Sequence, residues 1–373
     1  MALLSFTFDP EPTEAFLRLG YDAYAGDPGF VPPLRAEVRA QLEPGFPFYR
    51  RPGNDHRRFL VLANGRPVAR ALASVNRDLR DRDGSRVGAV GFFEALDHDA
   101  GADVLEASCT WLREEHGLGR VLGPLNFDVW HGYRLMTSGF GRSRFFGEPY
   151  NRAGYPELFE DAGFTPRRRW RTYRLEPEAV AALAEGDRSA FTAFTERGYR
   201  LVPFGALPYD EAVGRLHDVL VRSFAGFLAF TGISLPEFRA LTRWGRHAFH
   251  PSCSFFILDE KGASALFTGV LFDLAEPVRA MGGESGLLSR WRFFAARAGV
   301  GRLLVHLGGL SPEEAAKHNG LARAAFALLM GRLRALGVPA LATLIAAGNP
   351  VRRLLGEAAE RADREYVLYE RAT

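Results

Sequence analysis

Residues that could bind an anion cluster between positions 307 and 322, where an apolar segment gives way to a loop and then to a helix. Residues 303–307 are typical of a buried strand, and the apolar periodicity of a helix covers residues 323–336. A helix that follows a strand and a loop presents free backbone N–H groups, because its first turn has no internal partners for them. The sequence therefore predicts a phosphate-binding loop, with Leu307, Gly308, Gly309, Lys317, His318, Asn319, Gly320, Leu321 and Ala322 as its candidate residues.

The same stretch is also compatible with an ordinary helix start. Ser311 would cap the helix, Pro312 would occupy its first position and Glu314 would complete a capping box. Both interpretations hold together only if the helix that begins at Pro312 breaks near Asn319 and Gly320.

Polar and aromatic residues also gather in an irregular stretch of the first half. Loops on a rigid scaffold are where recognition residues collect. These residues could line a substrate pocket, or they could fix a long loop to its own domain. The candidates are Asn126, Trp130, His131, Tyr133, Tyr150 and Asn151, with Arg134 among them.

The secondary-structure patterns that would position these residues occur in the same order in both halves. The first half predicts a hairpin around Asn64–Gly65, strands at 86–94, 120–125 and 167–175, and helices at 102–116 and near Tyr155. The second half predicts a helix near Leu216 and strands at 254–258, 265–272, 303–307, 338–345 and 364–369. We therefore expect an α/β protein with a mixed sheet, built from units 1–178 and 188–373 and joined by the acidic, alanine-rich connector 176–187.

Composition limits the classes of protein that fit. A chain of 373 residues exceeds the usual size of one core, and 47% hydrophobic with 24% charged residues is typical of a globular protein. A net charge of +3 is too small to favour nucleic acid. Cys109 and Cys253 lie outside any metal-binding motif, which predicts a reduced protein without a metal. The absence of a leader or a long apolar run favours a cytoplasmic location away from membranes.

The loop also carries a family resemblance. Lys317-x-x-Gly320-x-Ala322 resembles the Gln/Arg-x-x-Gly-x-Gly/Ala segment with which the GNAT superfamily of acyltransferases grips the pyrophosphate of acetyl-CoA. Segments 27–34, 91–94, 123–126, 150–151 and 366–370 are similar to those of a little-characterised group of bacterial tandem-GNAT proteins. The resemblance implies two tandem GNAT-like domains packed side by side. It also implies an acyl-CoA-dependent N-acyltransferase that uses acetyl-CoA or another acyl-CoA and acts on an amine of a small molecule or peptide.

The resemblance assigns the cofactor to the second half. In the first half, Asp97, Asp99 and Asp103 occupy the loop where the pyrophosphate would lie and would repel it. Asn349 begins the helix that lines the pantetheine channel in many GNAT enzymes, although it could also be a plain helix cap. A tyrosine that often follows as general acid is missing from this helix.

The candidate catalytic residues are consequently His306 and Glu94 for proton removal and Tyr366 as a substitute acid. A histidine within an apolar strand is also compatible with a core role.

Two other functions remain open from the sequence. A Fem-type transferase would take its acyl group from aminoacyl-tRNA and could use the arginine-rich segment 167–174 as a tRNA surface, although a solvated strand face explains the same residues. A catalytically silent ligand-binding protein would fit the missing tyrosine. The acceptor and the oligomeric state do not follow from the sequence.

Overall fold

A computed structural model describes residues 1–185 and 188–373, without the side chains of residues 188, 189 and 307. The strands of the first half are β1 (Ala2–Phe6), β2 (Asp55–Ala63), β3 (Arg66–Val75), β4 (Gly88–Ala95), β5 (Arg120–Gly123), β6 (Leu135–Met136) and β7 (Thr165–Leu175). Its helices are α1 (Pro10–Asp22), α2 (Arg35–Leu42), α3 (Pro47–Arg50), α4 (His98–Glu114) and α5 (Tyr155–Asp161).

The second half repeats the alternation of helices and strands. Its helices are α6 (Pro177–Leu183), α7 (Thr192–Glu196), α8 (Tyr209–Phe224), α9 (Leu235–Leu241), α10 (Gly245–Ala248), α11 (Ala275–Met281), α12 (Leu287–Arg297), α13 (Pro312–Lys317), α14 (Leu321–Leu336) and α15 (Val351–Leu354). Its strands are β8 (Arg200–Pro203), β9 (Phe255–Leu258), β10 (Ser264–Phe272), β11 (Leu303–Leu310), β12 (Ala340–Ala346) and β13 (Arg364–Ala372).

All the strands of the described residues form one mixed sheet, and the two halves exchange their last strands at its centre. The order is β1-β2-β3-β4-β5-β13-β7-β12-β11-β10-β9-β8, with β6 paired to β13. Strand β7 therefore joins β12 of the second half, and β13 joins β5 of the first half. The exchanged strands pair with each other, with Trp170 opposite Tyr366.

Helices cover both faces of the sheet. Helices α4 and α14 pack on one face, and α1 and α8 pack on the other. In α14, Leu321, Ala325, Leu329 and Leu333 recur every four residues and are all buried, so they form a single apolar stripe against the sheet.

The sheet splits where two parallel strands diverge in each half. The pairing of β11 with β12 ends at Val305 opposite Ala342. On the other side of β11, the pairing with β10 moves from Leu307 to Val305, so His306 is an inserted bulge residue. A bulge in β4 likewise places Phe92 at φ 49°, a rare conformation for a bulky residue. The bulges twist the strands and open the sheet at equivalent places in the two halves.

Most of the predicted elements are present. The predicted hairpin is confirmed, and Asn64 and Gly65 both have positive φ as a type I′ turn requires. Helix α4 begins at His98 rather than at residue 102, because the Asp97 carboxylate accepts the Ala100 N–H at 2.9 Å and caps the helix. No prediction covered strand β1 or the helix pair α11 and α12.

The predicted connector forms helix α6, which buries Val180 in the core shared with α14. Its last two residues, 186 and 187, lie outside the described residues. The division of the chain at residues 178 and 188 stays a prediction.

Candidate active site

A cavity of about 1490 Å³ lies between the two halves and crosses the sheet where β11 and β12 diverge. On one face it is lined by Ala322 and Phe326 of α14, and on the other by Leu220 and Phe224 of α8. Two molecules could therefore enter the cavity, one from each face, and meet at the split. His306 lies at this split and lines the cavity.

The hydrogen bonds of His306 fix its tautomer. Its Nδ1 atom lies 2.8 Å from Oγ1 of Thr343, whose hydroxyl donates to the carbonyl oxygen of Val305 at 3.3 Å. We assign the hydroxyl hydrogen to the Val305 carbonyl, and with this assignment Thr343 accepts from Nδ1–H and Nε2 keeps its lone pair. Burial, together with the positive charge of Arg134, lowers the pKa of His306 to about 4. The imidazole is neutral at pH 7 and can accept a proton.

Glycine and alanine make room along the β11 side of the cavity. Gly308, Gly309, Ala322 and Asn349 all line it. A Cβ atom added to Gly308 would meet nothing within 4 Å, whereas one on Gly309 would lie 2.9 Å from Cγ1 of Val219. Gly308 therefore borders open space, and Gly309 lets helix α8 approach the strand.

The predicted segment forms two helices with a break between them. Helix capping and anion binding can occur together only with such a break. Helix α13 ends at Lys317, and α14 begins at Leu321 after Gly320, which has φ 83°. Ser311 caps α13 by accepting the Glu314 N–H at 3.3 Å. The segment thus contains a capped first helix and a second helix start.

The polar side chains of this loop form hydrogen bonds with a buried carboxylate. Glu314 accepts hydrogen bonds from Lys317, from the hydroxyl of Tyr199 at 2.7 Å and from Nδ2 of Asn319 at 2.9 Å. Burial alone would raise the pKa of Glu314, but the hydrogen bonds outweigh it and lower the pKa. The side chains of Lys317 and Asn319 stabilise the loop from behind.

The groups of this loop that could bind an anion are therefore the backbone N–H groups at the start of α14. The N–H groups of Ala322 and Arg323 make no hydrogen bond within the described residues, and Leu321 donates to Oδ1 of Asn319 at 3.1 Å. Lys317, His318, Asn319, Gly320 and Leu321 do not line the cavity, and Leu321 is buried in the core. Leu307 pairs with Gly269 through its backbone, and its side chain lies outside the description.

The equivalent split in the first half is filled by protein. Oδ1 of Asn126 accepts the Phe92 N–H at 2.7 Å, which closes the gap beside the bulge. The groove next to α4 is occupied as well, since a Cβ on Gly101 would lie 2.6 Å from Cδ1 of Leu158. The start of α4 already carries the capping carboxylate of Asp97. These contacts leave no equivalent channel in the first half.

Glu94 lies on the first-half side of the cavity. Its Oε2 accepts the hydroxyl of Tyr155 at 2.8 Å, and Oε1 lies 3.8 Å from Arg70. Burial raises the pKa of Glu94 to about 7, although Arg70 and Tyr155 act in the opposite direction. The carboxyl group therefore exchanges its proton near neutral pH.

Tyr366 lies away from the cavity. It is fully buried at the junction of the exchanged strands, and its hydroxyl donates to Glu148. Burial, followed by the negative charge of Glu148, raises its pKa far above the ordinary value. The structure does not bring Tyr366 together with His306.

The predicted substrate residues of the first half all line the cavity. Most of their polar groups also form hydrogen bonds within the protein. Nε1 of Trp130 donates to the Thr231 carbonyl at 2.8 Å, and Nδ1 of His131 lies 2.8 Å from Asp128. Tyr150 donates to Asp27 at 2.6 Å, and Asn151 accepts the Met136 N–H at 2.6 Å. The loop is therefore both a cavity wall and fixed to its surroundings. Thr343 was missed, although it lies in an apolar strand parallel to that of His306.

The arginine-rich strand β7 is mainly neutralised by carboxylates. Arg167 contacts Asp81 at 2.8 Å, Arg171 contacts Glu365 at 2.6 Å and Arg174 contacts Glu176 at 3.2 Å. Such pairs are typical of a solvated strand face.

No group of three or more histidine, cysteine or acidic side chains in the described residues could hold a metal. Cys109 and Cys253 are both buried, and burial raises the pKa of each thiol to about 11. Across residues 1–185 and 188–373, no helix has the length and apolar character needed to span a membrane.

Comparison with known proteins identifies the fold. No protein-family model matches the chain. Over 155 residues it is 25% identical to Protein YghO of Escherichia coli (strain K12), a match that spans 40% of this chain and only 38% of that protein. A GCN5-related N-acetyltransferase from Anabaena variabilis aligns with a TM-score of 0.54 at 8% identity, covering 100% of this chain and 73% of that one. The chain therefore has the GNAT fold.

The particular form of the fold is the tandem one. A tandem GNAT protein from the clavulanic acid biosynthesis pathway aligns with a TM-score of 0.53 at 15% identity, covering 100% of this chain and 98% of that one. The predicted fold class, with two GNAT-like units side by side in a mixed α/β structure, is confirmed.

Proposed function

We propose that the protein is an acyl-CoA-dependent N-acyltransferase with its cofactor site in the second half. The observation that carries this proposal is the cavity that crosses the sheet at the split between β11 and β12, with the unprotonated Nε2 of His306 at the crossing. A donor on the α14 face and an acceptor on the α8 face would meet beside this base.

The residues on the α14 side fit an acyl-CoA in two respects. The free N–H groups of Ala322 and Arg323 would bind its pyrophosphate, since a helix start favours an anion. Gly308 borders open space and leaves room for an extended chain. When bound, acetyl-CoA or another acyl-CoA would supply the acyl group as a thioester. Asn349 would contact it from the far side of the split.

His306 would act as the general base. An attacking amine becomes far more acidic as its nitrogen acquires positive charge, so a weakly basic imidazole can accept its proton at Nε2. Thr343 would hold the ring so that Nε2 points into the cavity. Because Tyr366 is committed to Glu148, we assign it to the strand junction and leave it out of the mechanism.

The acceptor would be a primary amine of a small molecule or peptide, bound against the first-half loop. Tyr133 and Trp130 would form apolar walls, and Glu94 would be available to an ammonium group. The ion pairs along β7 disfavour the tRNA-dependent alternative.

Thermal unfolding with and without acetyl-CoA, followed by an assay of thiol release with a panel of amines, tests the proposal. A ligand at about a hundred times its dissociation constant should stabilise the protein by about 2.7 kcal/mol. Stabilisation together with amine-dependent thiol release would support the transferase. Stabilisation without release for any amine would favour a silent binding protein, and no stabilisation at millimolar acyl-CoA would contradict the cofactor site.

A further inference from the structure

Arg134 is a partly buried cation on the wall of the cavity. Its Nε atom is shielded from solvent and has no hydrogen-bond partner, and its side chain forms no ion pair within residues 1–185 and 188–373. The guanidinium instead lies 3.8 Å from the ring centre of Tyr133 and 4.4 Å from that of Trp170. All three residues line the cavity between the halves.

The four buried arginines of the described residues all contact oxygen atoms. Arg364 contacts Glu148 at 2.8 Å, Arg144 contacts the same carboxylate at 2.9 Å, and Arg58 donates to Thr13 at 2.9 Å. Arg70 lies 3.8 Å from Glu94. Arg134 differs because both of its nearest partners are aromatic rings, which attract a cation but do not neutralise it.

The surroundings of Arg134 disfavour its charged form. Burial lowers the pKa of Arg134 to about 9, so that the guanidinium is still charged at neutral pH. A buried charge without a partner is costly, and an anion that enters the cavity would relieve that cost.

The backbone holds Arg134 in an unusual conformation that aims it at the cavity. It has φ 79°, which is uncommon for a residue other than glycine. Its N–H donates to the Pro124 carbonyl at 3.1 Å, and Tyr133 forms a bridge with Leu125. Such strain persists where the surroundings enforce it, and it concentrates at functional sites.

Arg134 also lies close to the proposed base. Its charge contributes to the lowered pKa of His306, so the two groups share one electrostatic environment in the cavity. An anion bound to Arg134 would place other parts of the same molecule beside Nε2 of His306.

We propose that Arg134 binds an oxyanion of the acceptor, so that the substrate class is an amine that also carries a carboxylate or phosphate group. This inference rests on the proposed function. A guanidinium stacked on aromatic rings keeps its N–H edge free, and that edge matches two oxygen atoms of a carboxylate or phosphate. The rings of Tyr133 and Trp170 exclude water and strengthen the interaction.

The first test needs no catalysis. Thermal unfolding is measured with inorganic phosphate and with acetate for the wild type, Arg134→Met, Arg134→Lys and the exposed control Arg169→Gln. We expect the anions to raise the Tm of the wild type and of Arg169→Gln but not of Arg134→Met. Without anions, Arg134→Met should have a higher Tm than the wild type, because it removes an unmatched, partly buried charge. An equal anion response in the wild type and Arg134→Met would overturn the site.

The second test identifies the source of the oxyanion. Acylation rates are compared for amines in three matched forms, with a free carboxylate, with the carboxylate blocked as an amide, and with a phosphate ester. We expect kcat/KM for one charged form to exceed that of the amide at least tenfold, and Arg134→Gln to abolish the preference without changing KM for acyl-CoA. Arg134→Lys should restore part of it.

The outcomes separate this inference from the proposed function. A wild type that acylates charged and neutral amines equally well would contradict the inference and leave the transferase intact. Absence of acylation for every amine, with an anion response that depends on Arg134, would contradict the transferase and retain the anion site. A change confined to KM for acyl-CoA would assign Arg134 to the donor and overturn the inference.

Discussion

The Nδ1 atom of His306 and the hydroxyl oxygen of Thr343 lie 2.8 Å apart across the gap between β11 and β12. The two strands stop pairing at Val305 and Ala342, immediately before these residues. The hydrogen bond therefore bridges the split and orients the imidazole at the point where the cavity crosses the sheet.

Removing the imidazole should slow the chemical step. We expect His306→Gln to lower kcat by about 10²–10⁴, the usual contribution of a general base. Thr343→Val should cause a smaller loss in kcat because the ring remains but is no longer oriented. KM for acyl-CoA should be nearly unchanged in both variants. Steady-state kinetics would contradict the assignment if His306→Gln retained the wild-type kcat.

The partly buried imidazole should also make stability depend on pH. The pKa of His306 is about 4 in the folded protein, against 6.5 for an ordinary histidine. Between these values the unfolded chain binds more protons, so this contribution to stability is fully present above pH 6.5 and is lost as the pH falls towards 4.

Glu94 acts in the opposite direction, because burial raises its pKa to about 7. The contribution of His306 is therefore measured as the difference in the pH dependence of stability between a variant and the wild type. Urea unfolding at pH 7 and pH 5 should show a smaller loss of stability on acidification for His306→Gln than for the wild type. Parallel losses in the two proteins would show that the imidazole is not buried in its neutral form.

A negative charge at the start of α14 should block the cofactor. Ala322 lies in the first turn, lines the cavity and is exposed, so Ala322→Asp should be compatible with folding yet repel a pyrophosphate. Isothermal titration with acetyl-CoA should show at least a tenfold loss of affinity, which corresponds to about 1.4 kcal/mol.

Ala335→Asp provides the matched control, since it places the same charge in the exposed last turn of the same helix. We expect this variant to bind acetyl-CoA like the wild type. Equal affinities for the two variants would exclude the helix start as the pyrophosphate site. These positions are better suited to the test than Gly320, whose φ of 83° requires glycine.

Glu148 should be essential to stability. It is buried and accepts hydrogen bonds from Arg364 at 2.8 Å and from Arg144 at 2.9 Å. Glu148→Gln would leave the Arg144 guanidinium without a counter-charge and Arg364 with Asp363 alone, and breaking a buried pair in this way typically costs about 3–5 kcal/mol.

The exposed pair between Arg35 and Glu284 offers the comparison, with atoms 3.4 Å apart at the surface. Glu284→Gln should change stability by less than about 1 kcal/mol. Chemical denaturation of both variants measures the loss of stability. A loss in Glu148→Gln no larger than that in Glu284→Gln would contradict the prediction.

Local sequence patterns predicted most of the secondary structure because their causes are local. The Asn64–Gly65 turn, the apolar stripe of α14 and the Ser311 cap each depend on residues a few positions apart. The exchange of β7 and β13 could not be predicted in the same way, since residues far apart in sequence, such as Trp170 and Tyr366, determine which strands pair.

Some of the residues that line the cavity were also predictable. Glycines and a helix start indicated the region around Gly308 and Ala322, and both residues line the cavity. The side chain of Lys317 donates hydrogen bonds to Tyr199 and Glu314, and Tyr199 is distant from it in sequence. The positive φ of Arg134 is likewise imposed by tertiary contacts. The three-dimensional surroundings therefore determine the contacts of individual residues, which local sequence patterns do not.

The position of β13 has a consequence for the order in which the protein can be assembled during synthesis. Every residue of the first half leaves the ribosome before residues 364–372, which pair with both β5 and β7. The nascent first half must therefore keep the edges of two strands unpaired until nearly the whole second half has been translated. Contacts of such long sequence separation slow folding and expose aggregation-prone edges. We infer that the two halves mature together rather than one after the other.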